Sequence, residues 1–156
     1  MVHAGYHSLN SLRMEKGYRH WGHDITDEDT PLEAGLGFAV KMDKPGGFIG
    51  REALQQQKEQ GVKRRLVQFQ LDDPEPLLYH NEPIWRDGEI AGYVSSGAYG
   101  HTLGACIGLG YIERSNKKYN NEWLDGEFAI EVAGEKFSAS ASLAPLYDPG
   151  NEKIRC

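Results

Sequence analysis

The chain has 156 residues, of which 39% are hydrophobic and 26% charged, and its formal net charge is −6. That length holds one good core, or one core with a smaller docked piece, and the composition is that of an ordinary globular protein rather than a disordered one. The acidic balance argues against a nucleic-acid surface, which needs clustered lysine and arginine, and no apolar run approaches the ~20 residues of a membrane-spanning helix.

The first predicted element is a helix over residues 8–17. Ser8 suits the N-cap, Leu9 and Leu12 share a face, Glu15 and Lys16 turn to water, and Gly17 supplies the stop. Residues 22–34 read as a loop whose Asp24, Asp27, Glu28 and Asp29 are either general bases or, as the ordinary reading of an acidic loop has it, hydrated. Leu36 to Lys41 alternates and is β-prone, so a strand is expected there, followed by a turn at Lys44-Pro45-Gly46-Gly47. A second helix runs from Gly50 to Gln60, rich in Glu, Gln, Ala and Leu, and Gly61 ends it. The one tight basic run, Lys63-Arg64-Arg65, reads as a solvated strand edge.

Beyond Gly61 the period falls from 3.6 to 2. Val67, Phe69 and Leu71 alternate with Gln68 and Gln70, and Pro83–Arg86 and Glu89–Val94 flank Asp87-Gly88, the pair that favours a two-residue hairpin turn. Ala105–Ile112 is a further apolar strand. Phe128, Ile130 and Val132 alternate, Gly134 with Glu135 turns the chain, and Phe137 to Leu143 alternate again. About six short antiparallel strands at regular spacing predict a small barrel or Greek-key module. The fold class is therefore α+β: a small mixed segment, then a six-stranded antiparallel β-barrel.

Chemistry-bearing residues are few. His3, His7, His20 and His23 beside Asp24 raise a metal site, but the two residues past the helix-ending glycine lack a helix to impose convergence, so no metal is assigned. Gly35-Leu36-Gly37 and Gly108-Leu109-Gly110 are half-fingerprints placed in strands, and no serine-hydrolase elbow accompanies Ser95-Ser96-Gly97. Cys106 reads as a small buried hydrophobe, and Cys156 is far from it, so neither a zinc knuckle nor a redox pair is indicated. Tyr18 and Trp21 form either core area or a flat wall for a planar ligand. Glu33, just before an apolar stretch, either caps a backbone or bonds a ligand, and in either role must be paired. Tyr99 lies in a small-residue stretch, Ser95 to His101, read as a cavity-facing loop or a tight bend.

Three blocks, Ser11-Leu12-Arg13-Met14-Glu15-Lys16-Gly17-Tyr18-Arg19-His20-Trp21-Gly22-His23-Asp24, Thr30-Pro31-Leu32-Glu33-Ala34-Gly35-Leu36 and Phe48-Ile49-Gly50-Arg51-Glu52-Ala53-Leu54, lie in one order. With Pro145-Leu146-Tyr147-Asp148-Pro149, they resemble the aminomethyltransferase (glycine cleavage T-protein) family, and most closely the folate-binding half of dimethylglycine and sarcosine dehydrogenases or oxidases. The resemblance implies that the chain is the C-terminal part of a larger protein. Residues 1–61 would be the remnant of a central folate-binding domain and residues 62–156 the C-terminal barrel. It implies tetrahydrofolate as cofactor, with FAD bound only upstream, and places Tyr18 in the folate pocket. Trp21, Glu33 and Tyr99 complete the candidate set. Leu9 stands where many members carry a folate-holding arginine. The family's reactive aspartate lies in the N-terminal part, so no catalytic residue is assigned here and the chain alone is expected to be inactive. Expected partners are the missing N-terminal part and the small-molecule folate, with self-association of the isolated chain through an exposed face. The expected compartment is a bacterial cytoplasm or a mitochondrial matrix.

Overall fold

The computed structural model describes residues 3–113 and 121–155, and Cys156 lies outside them. Six antiparallel strands close into a barrel: β1 (Arg64–Leu71), β2 (Pro83–Arg86), β3 (Glu89–Gly100), β4 (Ala105–Glu113), β5 (Phe128–Val132) and β6 (Glu135–Ser142). Around the barrel they run β1-β4-β3-β2-β5-β6, and β6 pairs back onto β1. Asp87 and Gly88 both take positive φ, 51° and 86°, as the predicted β2–β3 turn demands. The β5–β6 turn centres on Ala133 and Gly134, one residue earlier than expected. Phe69, Leu71, Ile84, Val94, Ile112 and Ile130 fill the interior, together with Cys106, which is free and fully buried as expected. Burial pushes the Cys106 thiol above its ordinary pKa.

The third strand runs on to Gly100, so Ser95–Gly100 is neither loop nor bend. Its register against β4 shifts between Val94 and Ser96, which makes Ser95 a bulge residue. The backbone of Leu78 crosses directly over Gly97, and a Cβ there would collide with it.

Outside the barrel, α1 (Tyr6–Glu15) lies on β3 and β4. Its cap is Gly5, three residues before the expected one. It ends in a Schellman motif: the amide of Gly17 (φ 63°) bonds the Met14 carbonyl at 3.0 Å, and that of Tyr18 bonds the Arg13 carbonyl at 2.8 Å. Its orientation reverses the expectation. Leu9 and Leu12 are exposed, whereas Glu15 and Lys16 are buried. The buried end is satisfied throughout: Glu15 accepts from the Thr102 amide (2.6 Å) and hydroxyl (2.9 Å), and Lys16 donates to the Asp148 carbonyl (2.6 Å) and Asn151 Oδ1 (2.7 Å). Met14 packs with Leu66, Ile107 and Leu109 on the outer face of β1 and β4. Gln68, expected on a wet face, is buried instead. Its Nε2 donates to the Met14 carbonyl at 2.5 Å and its Oε1 accepts from the Leu146 amide at 3.1 Å.

The stretch 36–41 is not a strand. Its amides are spent locally, Leu36 on the Pro31 carbonyl (2.7 Å) and Val40 on that of Gly37 (3.2 Å), giving a 3₁₀ turn at Gly37–Ala39. Alternation without a partner strand does not make a ladder, and Gly35-Leu36-Gly37 accordingly lies in turns. Helix α2 (Arg51–Gln60) matches its predicted span and touches the core through Leu54. Among the described residues no helix is long and apolar enough to cross a membrane.

Candidate functional site

Past the Schellman glycine, residues 18–24 form a tight loop fastened by one carboxylate. Asp24, fully buried, accepts from Arg13 Nη1 of α1 (2.6 Å), from its own loop at the His20 amide (2.8 Å), and from the Ser95 hydroxyl at the β3 bulge (2.6 Å). Three separate pieces of chain thus meet on one side chain. Asp29 is likewise engaged, by the Thr26 amide (2.7 Å) and by Arg64 (2.8 Å). Two of the four carboxylates expected to be hydrated are therefore structural ties, while Asp27 and Glu28 are exposed.

Arg64 and Arg65 do not form a solvated edge. Arg64 reaches Asp29 and stands over the Tyr111 ring at 4.9 Å, and Arg65, buried, donates to the Leu32 carbonyl. Arg19 adds a bond to the Ala34 carbonyl at 3.1 Å. Arg64 and Arg65 thus pin residues 29–32 to the barrel, and Arg19 ties Ala34 to the 18–24 loop. Between Asp29 and Ala34, Thr30 and Glu33 form a reciprocal capping box. The Thr30 amide donates to Glu33 Oε2 (3.1 Å), and the Glu33 amide donates to the Thr30 hydroxyl (3.2 Å). Glu33 is paired, as burial required, and its second oxygen lies 3.7 Å from Arg64.

Tyr18 and Trp21 stand out from the fastened loop, 52% and 66% exposed. Around the corner lies an open groove of about 530 Å³ between α1, the 18–24 loop, residues 77–80 and β3. Of the four candidates only Tyr99 lines it; Tyr18, Trp21 and Glu33 do not. The groove instead collects five of the chain's six histidines: His7, His20, His23, His80 and His101. The rings of His20 and His23 stack at 4.6 Å, and Tyr99 meets His101 edge-on at 5.2 Å. Among the described residues, no three His, Cys, Asp or Glu side chains are grouped to hold a metal. Sequence reasoning missed Asp24, Ser95 and the convergence of distant histidines. Only the histidines left a signal, their number in a short chain.

A closed six-stranded barrel carrying a helix and an arginine-laced loop on its outer face defines a class. Residues 64–148 match the glycine cleavage T-protein C-terminal barrel domain, and residues 1–44 match the GCVT N-terminal domain. The chain belongs to this aminomethyltransferase family. Among its relatives, the "4-methylaminobutanoate oxidase (formaldehyde-forming)" of Paenarthrobacter nicotinovorans is 43% identical over 97% of this chain and 18% of that protein. Human mitochondrial sarcosine dehydrogenase is 40% identical over 99% of this chain and 17% of its own length. The mitochondrial pyruvate dehydrogenase phosphatase regulatory subunit of Mus musculus is 42% identical over 92% and 18%. The glycine cleavage system aminomethyltransferase T of Bartonella henselae superposes with a TM-score of 0.75 at 25% identity, covering 90% of this chain and 38% of that one. The chain therefore spans under a fifth of the length of the curated relatives named here.

Proposed function

We propose that the chain is the C-terminal section of a tetrahydrofolate-dependent aminomethyltransferase-type unit in an FAD-dependent sarcosine or dimethylglycine dehydrogenase, where a one-carbon unit released from the N-methyl amine passes to tetrahydrofolate. In this reading residues 1–61 complete a folate-binding domain, residues 62–156 are its barrel neighbour, and the whole resides in a bacterial cytoplasm or mitochondrial matrix. The observation that carries it is the pair Tyr18 and Trp21. Two large aromatic faces stand in solvent on a loop whose anchor, Asp24, is fully buried. Rings held rigidly away from a core are suited to cover a planar ligand. Glu33 serves this reading by fixing the adjoining loop, and Tyr99 by walling the groove beside it. Bound tetrahydrofolate would supply the nitrogens that accept the carbon; the chain's own residues would grip it and keep water out. The proton-moving carboxylate is expected on upstream polypeptide, so the chain alone turns nothing over.

The similarity to a phosphatase regulatory subunit supports a second reading, a non-catalytic member of the same fold. Both readings are tested on the full gene product. Tetrahydrofolate is titrated into it and into Tyr18→Ala, with an expected loss of about tenfold in affinity, the scale of one aromatic contact. Unchanged affinity removes the site assignment. Turnover is then assayed on sarcosine, dimethylglycine and 4-methylaminobutanoate, following formaldehyde and methylenetetrahydrofolate separately. Turnover of none of them moves the conclusion to the regulatory reading.

A further inference from the structure

A trough of about 600 Å³ runs between α2 and the stretch 32–42, sharing no residue with Tyr18, Trp21 or the histidine groove. Its volume is that of a small-molecule site. One wall is apolar, made by Leu32, Phe38, Val40, Met42 and Val62. The unmade strand builds that wall: with the 36–41 amides spent on local turns, Phe38 and Val40 line a cavity instead of a sheet face. The facing wall is one stripe of α2. Leu54, Gln57 and Lys58 recur at i, i+3 and i+4, the spacing of a single helix face. Only the first is apolar. The side-chain carbonyl oxygen of Gln57 is shut off from solvent and has no hydrogen-bond partner among the described residues. Among those residues Lys58 is the one charged group in the lining.

These two polar groups decide what the trough suits. A protein segment packed there as dry core would desolvate Lys58 and leave the Gln57 oxygen unpaired, and both are costly. Water serves both groups but not the apolar wall. An occupant with an aliphatic body, a hydrogen-bond donor and an anionic group answers all three. The donor and the anion must lie close together, because Gln57 and Lys58 are neighbours on the helix. A hydroxyl set two carbons from a carboxylate meets that demand. We propose that this trough is a binding site for a medium-chain 3-hydroxy carboxylate. Its alkyl tail lies along Phe38, Val40 and Met42, its hydroxyl donates to Gln57 Oε1, and its carboxylate faces the Lys58 ammonium. The site is separate from the tetrahydrofolate reading and does not rest on it.

The test titrates four probes by calorimetry at neutral pH, into the chain and into the full gene product. The first, 3-hydroxyoctanoate, carries all three features. Of the others, 3-hydroxybutyrate lacks the tail, octanoate lacks the hydroxyl, and methyl 3-hydroxyoctanoate lacks the charge. Shortening the tail should weaken binding roughly tenfold or more, and removing the hydroxyl about fivefold. Removing the charge should cost about threefold, since Lys58 is exposed. Gln57→Leu should bind octanoate and 3-hydroxyoctanoate alike, and Lys58→Gln should bind the acid and its methyl ester alike. No residue of α2 is buried, and thermal melts establish that both variants fold. The proposal is overturned by the absence of saturable binding in the millimolar range, by probes that bind alike, or by variants that discriminate as the parent does. Binding by the chain but not by the full gene product would also overturn it, giving the trough to the remaining polypeptide. None of these outcomes bears on whether tetrahydrofolate binds at Tyr18.

Discussion

Asp24 and Asp27 sit three residues apart in one acidic run, and nothing in their immediate neighbours tells them apart. The fold does. Asp24 has no exposure and ties Arg13, the His20 amide and Ser95, while Asp27 faces water. Removing one partner of a buried ion pair strands the other charge, so Asp24→Ala should cost about 3 kcal/mol in urea unfolding at neutral pH. Asp27→Ala should stay within about 0.5 kcal/mol. Equal midpoints for the two variants would mean that the Arg13–Asp24–Ser95 junction contributes nothing to stability. Glu33 is the intermediate case. The sequence leaves it either a backbone cap or a ligand contact, and the structure pairs it with Thr30 in a reciprocal cap whose four-residue spacing is local enough to be read.

At the scale of elements, the barrel strands were readable because their information is local: alternation gives each strand a face, and Asp87-Gly88 permits one tight turn. The helix α1 was readable as a helix, with Gly17 as its stop, but not in its orientation. Its apolar positions Leu9 and Leu12 point outward, and its charged end is buried because Thr102, Asp148 and Asn151, remote in sequence, supply partners. Periodicity reports that a helix has two faces; which face is covered depends on what folds around it. The stretch 36–41 fails for the related reason that a strand needs a partner and none of the described strands supplies one. The inverted helix makes a sharp prediction. Met14→Ala should cost about 2–5 kcal/mol, since Met14 is fully buried among Leu66, Ile107 and Leu109. Leu12→Gln, at a position 60% exposed, should leave the unfolding midpoint of the monomeric chain, measured at high dilution, unmoved. The reverse ranking would place the helix the other way round.

For the molecule as a whole, the outward face of α1 is exposed and apolar. Tyr6, Leu9 and Leu12 are 72%, 55% and 60% exposed along one side of the helix. Exposed apolar side chains on one helix face suit a contact with another surface. In the reading proposed above, the contact is with the rest of the longer protein. On its own, the chain should then satisfy the face with a second copy. Sedimentation velocity over a wide dilution series is expected to show a reversible monomer–dimer equilibrium, and the double substitution Leu9→Glu and Leu12→Glu should leave monomer at every concentration. Both positions are exposed, so at dilutions where the parent is monomeric the barrel's unfolding midpoint should not move, which separates lost association from lost folding. A parent chain that is monomeric throughout the series would remove the self-association expectation. An association that survives both glutamates would place the contact elsewhere, with Phe38 and Ile49, 86% and 104% exposed, as the next surface to change.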